Sequence, residues 1–174
     1  LLNSKGDYIV FLGADDLLSN TCLENRLTYV AKNPDCDFLV FKIEMFHKTP
    51  GDLGKIFNEY PQKEQSYLQL YLNGHTPWQT SCPIWKKAFL LKINGWDEDL
   101  IRITDPDIHT RALLVEEVKY LVIKDIKPDC FYRMNQNTAL RNNEWLIASI
   151  HGRMIYFKKI HALISSKAYI SNQQ

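Results

Sequence analysis

The chain has 174 residues, 45% of them hydrophobic and 12% aromatic, which is enough to build the core of one globular domain. Its 21 Lys and Arg residues balance 20 Asp and Glu residues, so the net charge of +1 gives no indication of binding to nucleic acid. No apolar stretch approaches the roughly 18 residues of a membrane-spanning helix.

The N-terminal residues 1–10 lack the basic, apolar and small-residue regions of a signal peptide. The four cysteines are far apart and form no CxxC pair, so they show no zinc, redox or disulfide pattern. We therefore expect reduced thiols and a cytoplasmic location, with the inner face of the membrane as a further option. Because the chain begins without Met and enters an apolar segment almost at once, we expect a fragment of a longer protein.

The first half of the chain alternates predicted strands and helices. Tyr8–Leu12 is a continuous apolar run, which predicts a strand buried on both faces, as in a parallel sheet. Thr21 and Glu24 have capping-box spacing and predict the start of a helix, which Pro34 ends. A second strand is predicted over residues 38–46. The apolar positions of the helix are Leu23, Leu27, Val30 and Ala31.

The second half continues this alternation. After a loop with Pro and Gly, short helices are predicted over residues 62–72 and 86–92, with an extended segment between them. A further helix begins at Asp105, with Pro at its first turn, and a strand follows over residues 118–123. Strands that alternate with helices predict an α/β fold.

Residues 144–164 carry apolar side chains at helical spacing and predict a long amphipathic helix. We interpret it as a helix that packs on the core, and peripheral membrane association is the alternative. Its apolar positions are Leu146, Ile147, Ile150, Met154, Ile155 and Phe157.

Two adjacent carboxylates, Asp15 and Asp16, follow the first predicted strand. In open α/β sheets, ligands bind beyond the carboxyl ends of the strands. Two like charges there repel each other unless a cation neutralises them, and Mg²⁺ or Mn²⁺ bound together with substrate phosphate suits such a pair. The alternative is that one Asp caps a helix while its neighbour is exposed.

A second cluster of carboxylates lies between Asn94 and Arg111. Asp105 stands at a predicted helix start, where the helix dipole favours the ionised form. An ionised carboxylate can take a proton from a hydroxyl nucleophile, so Asp105 is a candidate base, with a helix cap as the alternative. His109 has no further ligand at metal spacing and is interpreted as a surface or packing residue.

Arg133 and Arg141 flank a polar segment, and either could bind a phosphate bidentately or simply favour solubility. The sequence contains no Gly-x-Ser-x-Gly motif and no Gly-rich phosphate loop. These absences argue against serine hydrolases of that type and against P-loop enzymes.

Two segments, in this order, resemble family 2 glycosyltransferases. Residues 4–16, SKGDYIVFLGADD, resemble the family's A-(K/R)-G-(E/D)-Y-(I/L)-x-F-L-D-A-D-D segment. Residues 86–113 contain NGWDED and TDPD, which resemble the family's Gly-Gly-Phe-Asp-Glu loop and the acidic pair that follows it. The Phe-Tyr-Arg sequence ending at Arg133 resembles a tyrosine–arginine pair found after the last strand of many members.

This resemblance implies a metal-dependent enzyme that moves a sugar, with inversion, from a nucleotide-sugar donor to a saccharide or glycolipid acceptor in a bacterial-type polysaccharide or glycolipid pathway. Asp15 and Asp16 would bind a divalent metal and the donor diphosphate, and Asp105 would be the general base. The implied substrate-binding residues are Trp96, Asp97 and Arg133.

The resemblance also implies a GT-A-like mixed or parallel sheet flanked by helices, incomplete at its N-terminus. Residues 1–140 would be the C-terminal part of the catalytic domain, and residues 141–174 a helical extension. Gly13 stands where the family has the first Asp of its DxD motif, which leaves a second hypothesis open: a degenerate, non-catalytic domain that acts as a binding or scaffold module. A metal-dependent phosphohydrolase is the third hypothesis.

Overall fold

The structure, a computed structural model, describes residues 1–62, 65–134 and 143–171. The strands are β1 (Tyr8–Val10), β2 (Leu17–Leu18), β3 (Phe38–Val40), β4 (Ile43–Phe46), β5 (Lys55–Ile56), β6 (Pro83–Lys86), β7 (Tyr120–Val122) and β8 (Cys130–Arg133). The helices are α1 (Cys22–Lys32), α2 (Tyr67–Leu72), α3 (Lys87–Lys92), α4 (Thr104–Leu113) and α5 (Asn143–Ser171). The boundary predicted at residue 140 lies outside the described residues.

The described strands form two four-stranded sheets, with the orders β1-β6-β3-β7 and β2-β8-β4-β5. In the first sheet β3 and β7 are parallel, while β6 runs antiparallel to both β1 and β3. In the second sheet β4 and β8 are parallel, and the other two pairs are antiparallel. The predicted α/β class with a mixed sheet is therefore confirmed.

The first strand differs from its prediction in one respect. Alternate residues of β1 do pack on opposite sides, since Ile9 contacts the larger core cluster while Tyr8 and Val10 contact a smaller one. These residues are only half-buried, however, and the strand is antiparallel to its neighbour β6. The expectation of a fully buried strand in a parallel arrangement is wrong because β1 has β6 alone as a described strand neighbour.

The single strand predicted over residues 38–46 is divided into β3 and β4, which belong to different sheets. The side chain of Asn58 satisfies the backbone at the division. Its Nδ2 donates to the Phe41 carbonyl (3.1 Å), and its Oδ1 accepts from the Ile43 amide (2.8 Å). One continuous apolar segment can therefore cross from one sheet to the other without leaving buried backbone groups unpaired.

Helix α1 lies where the sequence predicts it, but it buries a different face. Leu23 and Leu27 are exposed, whereas Arg26 is fully buried between Cys22 and Val30 on the inner face. Thr21 makes no capping hydrogen bond, so the predicted capping box is absent there. The reason for the changed face is the ion pair that Arg26 forms with Asp129.

Helix α5 confirms the predicted C-terminal helix, but again with a different buried face. Its inward positions are Ser149, Gly152, Tyr156 and Ile160. The Tyr156 and Thr110 hydroxyls are hydrogen bonded (2.8 Å), which ties α5 to α4. Among the described residues, no helix is long and apolar enough to cross a membrane. The predicted apolar positions that are exposed are Leu146, Ile147, Ile150, Met154 and Phe157.

His109 lies in an aromatic part of the core, which confirms the packing alternative predicted for it. Its ring stacks on Trp85, with centroids 5.7 Å apart and planes within 9°. Tyr71 and Trp78 contact it from other sides. Burial lowers the pKa of His109 to about 3, although a hydrogen bond to the backbone of Asp105 acts in the other direction. The imidazole is therefore neutral at physiological pH.

Candidate active site

The three carboxylates predicted to carry the chemistry line one cleft of about 510 Å³. Asp15 and Asp16 lie in the turn between β1 and β2, and Asp105 lies in the first turn of α4. A cleft of this volume is within the range typical of small-molecule sites. The fold therefore brings together two segments that are far apart in the chain.

Hydrogen bonds hold the buried Asp16 carboxylate on both oxygens. Its Oδ1 accepts from the backbone amide of Arg133 (3.0 Å). Its Oδ2 accepts from Gln79 Nε2 (3.1 Å) and from the Ser81 hydroxyl (3.3 Å). Asp16 thus connects the turn after β1 to β8 and to the loop before β6.

Asp15 has a different environment from its neighbour. Its side chain is exposed, and its carboxylate accepts no hydrogen bond from the part of the chain that the structure describes. Its backbone carbonyl accepts a hydrogen bond from Arg133 Nε (3.0 Å). Asp15 is therefore the carboxylate most available to a ligand in this cleft.

Asp105 is held in place by Thr80. The Thr80 amide donates to Asp105 Oδ2 (3.0 Å), and the Thr80 hydroxyl donates to Oδ1. Burial raises the pKa of Asp105 above its usual value; the Thr80 hydrogen bonds lower it in part, and the charge of Asp16 raises it further. A carboxylate with a raised pKa is a stronger base than an ordinary one, which suits proton abstraction.

The backbone is strained two residues before Asp105. Ile103, at the N-terminal end of α4, has φ = +65°, in the left-handed region that β-branched residues rarely adopt. Such a conformation costs about 1–3 kcal/mol, and residues that adopt it cluster at active sites and ligand-binding segments. This conformation sets how the chain enters the first turn of α4, where Asp105 lies.

Arg133 does not line the cleft directly. Its Nε and Nη1 donate to the carbonyls of Asp15 (3.0 Å) and His47 (3.2 Å), and its guanidinium lies over the Phe46 ring (4.4 Å). These contacts support the turn that carries Asp15 and Asp16. Arg133 as a substrate-binding residue stays a prediction, and Arg141 lies outside the described residues.

Trp96 and Asp97 lie in a second cleft, of about 390 Å³, away from the three carboxylates. Asp97 accepts a hydrogen bond from Lys159 (2.6 Å), and Trp96 packs edge-to-face on Phe11 (5.3 Å). Burial opposes ionisation of Asp97, but the hydrogen bonds from Lys159 and from the Asp99 amide outweigh it and lower its pKa. The structure therefore does not bring these two residues together with Asp105, and their assignment to substrate binding stays a prediction.

Sequence reasoning missed the residues that position Asp16. Arg26 forms a buried bidentate ion pair with Asp129 (2.7 and 2.9 Å) and donates to the Ser81 carbonyl (2.9 Å). Ser81 in turn donates to Asp16, and its amide donates to Gln79 Oε1. Arg26 lies four residues after Cys22 and four before Val30, on the buried face of α1, but the apolar spacing of this helix pointed to the face of Leu23 and Leu27 instead.

A divalent metal in this cleft would have few protein ligands. Among the described residues there is no group of three or more His, Cys, Asp or Glu side chains that could hold a metal ion. Mg²⁺ and similar ions need only one or two carboxylates when substrate phosphate and water complete the shell. The unengaged carboxylate of Asp15, beside Asp16, fits that requirement.

No protein-family model matches the chain. The chain is 29% identical over 122 residues to the uncharacterized glycosyltransferase MJ1057 of Methanocaldococcus jannaschii, covering 70% of this chain and 41% of that protein. Its fold is similar to S. aureus TarS 1–349 in complex with UDP-GlcNAc (TM-score 0.56, 16% identity) over 78% of this chain and 37% of that one. The UDP complex of TarS gives a TM-score of 0.53 at 16% identity, over 77% and 38% of the two chains. The chain thus spans less than half the length of each.

Proposed function

We propose that this chain is part of an inverting glycosyltransferase of family 2 with a GT-A fold, which transfers a sugar from a nucleotide-sugar donor to an acceptor hydroxyl. The observation that carries the proposal is that Asp105, with its raised pKa, lines the same cleft as Asp15 and Asp16. The sequence similarity to a protein named as a glycosyltransferase supports it. The similarity in fold to a protein whose structures contain UDP-GlcNAc and UDP adds support for a nucleotide-sugar donor.

In this proposal Asp105 is the general base. Its carboxylate takes the proton from the acceptor hydroxyl while that oxygen attacks the anomeric carbon of the donor. The bond from this carbon to the nucleotide phosphate breaks on the opposite face, so the configuration inverts. Thr80 holds both oxygens of this carboxylate, which reduces the reorganisation needed during the reaction.

Asp15 and Asp16 would hold a divalent metal, Mg²⁺ or Mn²⁺, together with the donor diphosphate. When bound, the metal would neutralise the charge that develops on the leaving nucleoside diphosphate. Asp15 offers an unengaged carboxylate for this contact, while hydrogen bonds fix Asp16 behind it. This difference predicts that Asp15 contributes mainly to binding of the metal and donor, whereas Asp16 contributes both to that binding and to the local structure.

The acceptor is proposed to be a saccharide or glycolipid of a bacterial-type polysaccharide pathway. The exposed apolar residues of α5 support a peripheral association with the inner face of the membrane. Flotation of the full-length protein with lipid vesicles tests this association. Recovery in the lipid fraction supports it, and recovery only in the soluble fraction contradicts it.

Calorimetric titration of nucleotide-sugars into the full-length protein, with and without Mn²⁺, tests the proposed donor site. We expect metal-dependent binding of one nucleotide-sugar and loss of that binding on addition of EDTA. Absence of metal-dependent binding at millimolar concentration would instead favour the non-catalytic module. Release of phosphate without any acceptor would favour the phosphohydrolase.

A further inference from the structure

The carboxylate-lined cleft also contains two arginines, Arg102 and Arg153, from the loop before α4 and from α5. Both side chains are exposed, and neither forms an ion pair with a carboxylate among the described residues. We propose that Arg102 and Arg153 form a phosphate-binding subsite of this cleft. The inference rests on the proposed function only in taking the cleft as the place where substrate binds.

Trp145 orients the first of these arginines. The guanidinium of Arg102 lies over the Trp145 ring, 5.4 Å from its centroid. A cation over an aromatic ring is attracted by the electrons of the ring, and this contact does not use the N–H donors of the guanidinium. Trp145 therefore holds Arg102 at the cleft without occupying the donors that a phosphate would need.

Gly152 brings the backbone of α5 close to the loop that carries Arg102. A Cβ on Gly152 would lie 3.1 Å from both the Cβ and the carbonyl oxygen of Arg102, so a larger residue would push the helix and the loop apart by a few tenths of an ångström. Arg153 follows Gly152 directly and lines the cleft from α5. On the other side of Arg102, the strained backbone of Ile103 sets the direction of the loop.

The chemistry of the pair favours a phosphate. Each guanidinium has donors in a fixed fork that matches two phosphate oxygens, and two such groups balance the charge of a phosphate dianion. The three carboxylates of the cleft repel an anion, so it would bind on the side of the two arginines unless a metal intervenes. The phosphate could belong to the donor diphosphate or to an acceptor that carries a phosphate.

The test is calorimetric titration of the full-length protein and of its R102Q/R153Q variant. The probes are sn-glycerol 3-phosphate without metal and inorganic pyrophosphate with Mn²⁺. Lys158→Gln is the matched control, because Lys158 is exposed on the same helix and lies outside the cleft. Variants with a single Arg→Lys substitution keep the charge but lose the forked pair of donors. Their affinity for phosphate should lie between that of wild type and that of the double variant.

We expect the double variant to bind sn-glycerol 3-phosphate at least tenfold more weakly than wild type, and the control to stay within twofold. If pyrophosphate–Mn²⁺ binding is unchanged in the double variant, the subsite serves an acceptor phosphate; if it falls equally, the subsite serves the donor diphosphate. Three results would overturn the proposal. Wild type and double variant could bind sn-glycerol 3-phosphate equally, wild type could fail to bind it, or the control variant could lose as much affinity as the double variant. Because no turnover is measured, failure of sugar transfer would leave this result standing.

Discussion

The carboxylate of Asp16 occupies the space that a side chain at Gly13 would need. A Cβ built on Gly13 would lie 2.7 Å from Asp16 Oδ2, closer than such atoms approach in proteins. Glycine at position 13 is thus a requirement of the way Asp16 is held. The difference from the Asp expected in a DxD motif therefore has a structural reason, and it is not by itself a sign of lost activity.

Replacing Gly13 should consequently harm the site. We expect Gly13→Asp to push Asp16 away from Gln79 and Ser81 and to reduce the free energy of unfolding by about 2 kcal/mol. The matched control is Ala14→Asp, which adds the same charge at an exposed neighbouring position. Thermal unfolding of both variants measures the difference, and an unchanged midpoint for Gly13→Asp would contradict this account of Gly13.

Asp15 and Asp16 should respond differently to amidation. Asp15→Asn should abolish metal-dependent donor binding and leave the unfolding midpoint unchanged, because the Asp15 carboxylate has no described hydrogen bond to lose. Donor titration and thermal unfolding, carried out on the same preparations, measure the two effects. Full metal-dependent binding by Asp15→Asn would exclude its proposed role.

Asp16→Asn should destabilise the protein as well. An amide at this position would place its NH₂ group against either Gln79 Nε2 or the Arg133 amide, and both of these are donors. Gln79 cannot turn over without losing the Ser81 amide bonded to its Oε1. The unpaired donors should cost about 1–3 kcal/mol. An unfolding midpoint equal to that of wild type would show that these hydrogen bonds do not fix Asp16.

The buried pair of Arg26 and Asp129 should be sensitive to removal of one partner. Arg26→Ala leaves the Asp129 carboxylate and the Ser81 carbonyl without their donors, and should cost about 3–5 kcal/mol. The double variant R26M/D129L replaces the pair by apolar side chains of similar volume and should recover part of that loss, although the Ser81 carbonyl still lacks its donor. Chemical denaturation of the single and double variants measures the free energy of unfolding of each. An equal decrease in both variants would contradict the interpretation that an unpaired buried charge causes the loss.

His109 should make the protein less stable in acid. Its folded pKa of about 3 lies below the unfolded value of 6.5, so the unfolded state binds more protons between these values. Stability should fall as the pH decreases from 6.5 towards 3, by about 2 kcal/mol at pH 5. His109→Phe retains the aromatic packing and should flatten this part of the pH profile. An unchanged profile would show that His109 is not the group responsible.

Asp105 should affect stability in the opposite sense. The pKa of Asp105 is higher in the folded state than in the unfolded state. The ionised carboxylate therefore lowers the free energy of unfolding at any pH above its folded pKa, and this penalty disappears as the pH falls below its unfolded pKa. Asp105→Asn should therefore raise the unfolding midpoint at pH 7. The amide can keep both contacts with Thr80, because its oxygen accepts from the Thr80 amide while the Thr80 hydroxyl accepts from its NH₂ group. A lower midpoint at pH 7 would contradict the raised pKa.

The sequence predicted the elements that carry the chemistry better than those that support it. Asp15 and Asp105 lie in segments with local patterns, an apolar strand followed by acidic residues and a helix start, and these patterns place them at element ends. Gln79, Thr80 and Ser81 have no such pattern, since the loop that carries them is positioned only by partners elsewhere. Their contribution depends on contacts with Asp16 and Asp105 that are visible only in the folded chain.

Burial was the property least accessible from the sequence. Arg26 is fully buried because Asp129, more than a hundred residues away, pairs with it, and no local pattern reports such a partner. Apolar spacing likewise predicted an inward face for α5 through Leu146 and Phe157, which are exposed. Apolar residues occur on all sides of this helix, so spacing alone could not identify the side that contacts α4.

The rate of sugar transfer by the Asp105→Asn variant of the full-length protein shows whether Asp105 acts as the general base. Donor binding, measured by titration with Mn²⁺, should be retained, because the metal contact is assigned to Asp15 and Asp16. Transfer to the acceptor should fall by about 100-fold or more, since the amide cannot take the hydroxyl proton. Transfer near the wild-type rate would contradict the assignment of Asp105 as the base.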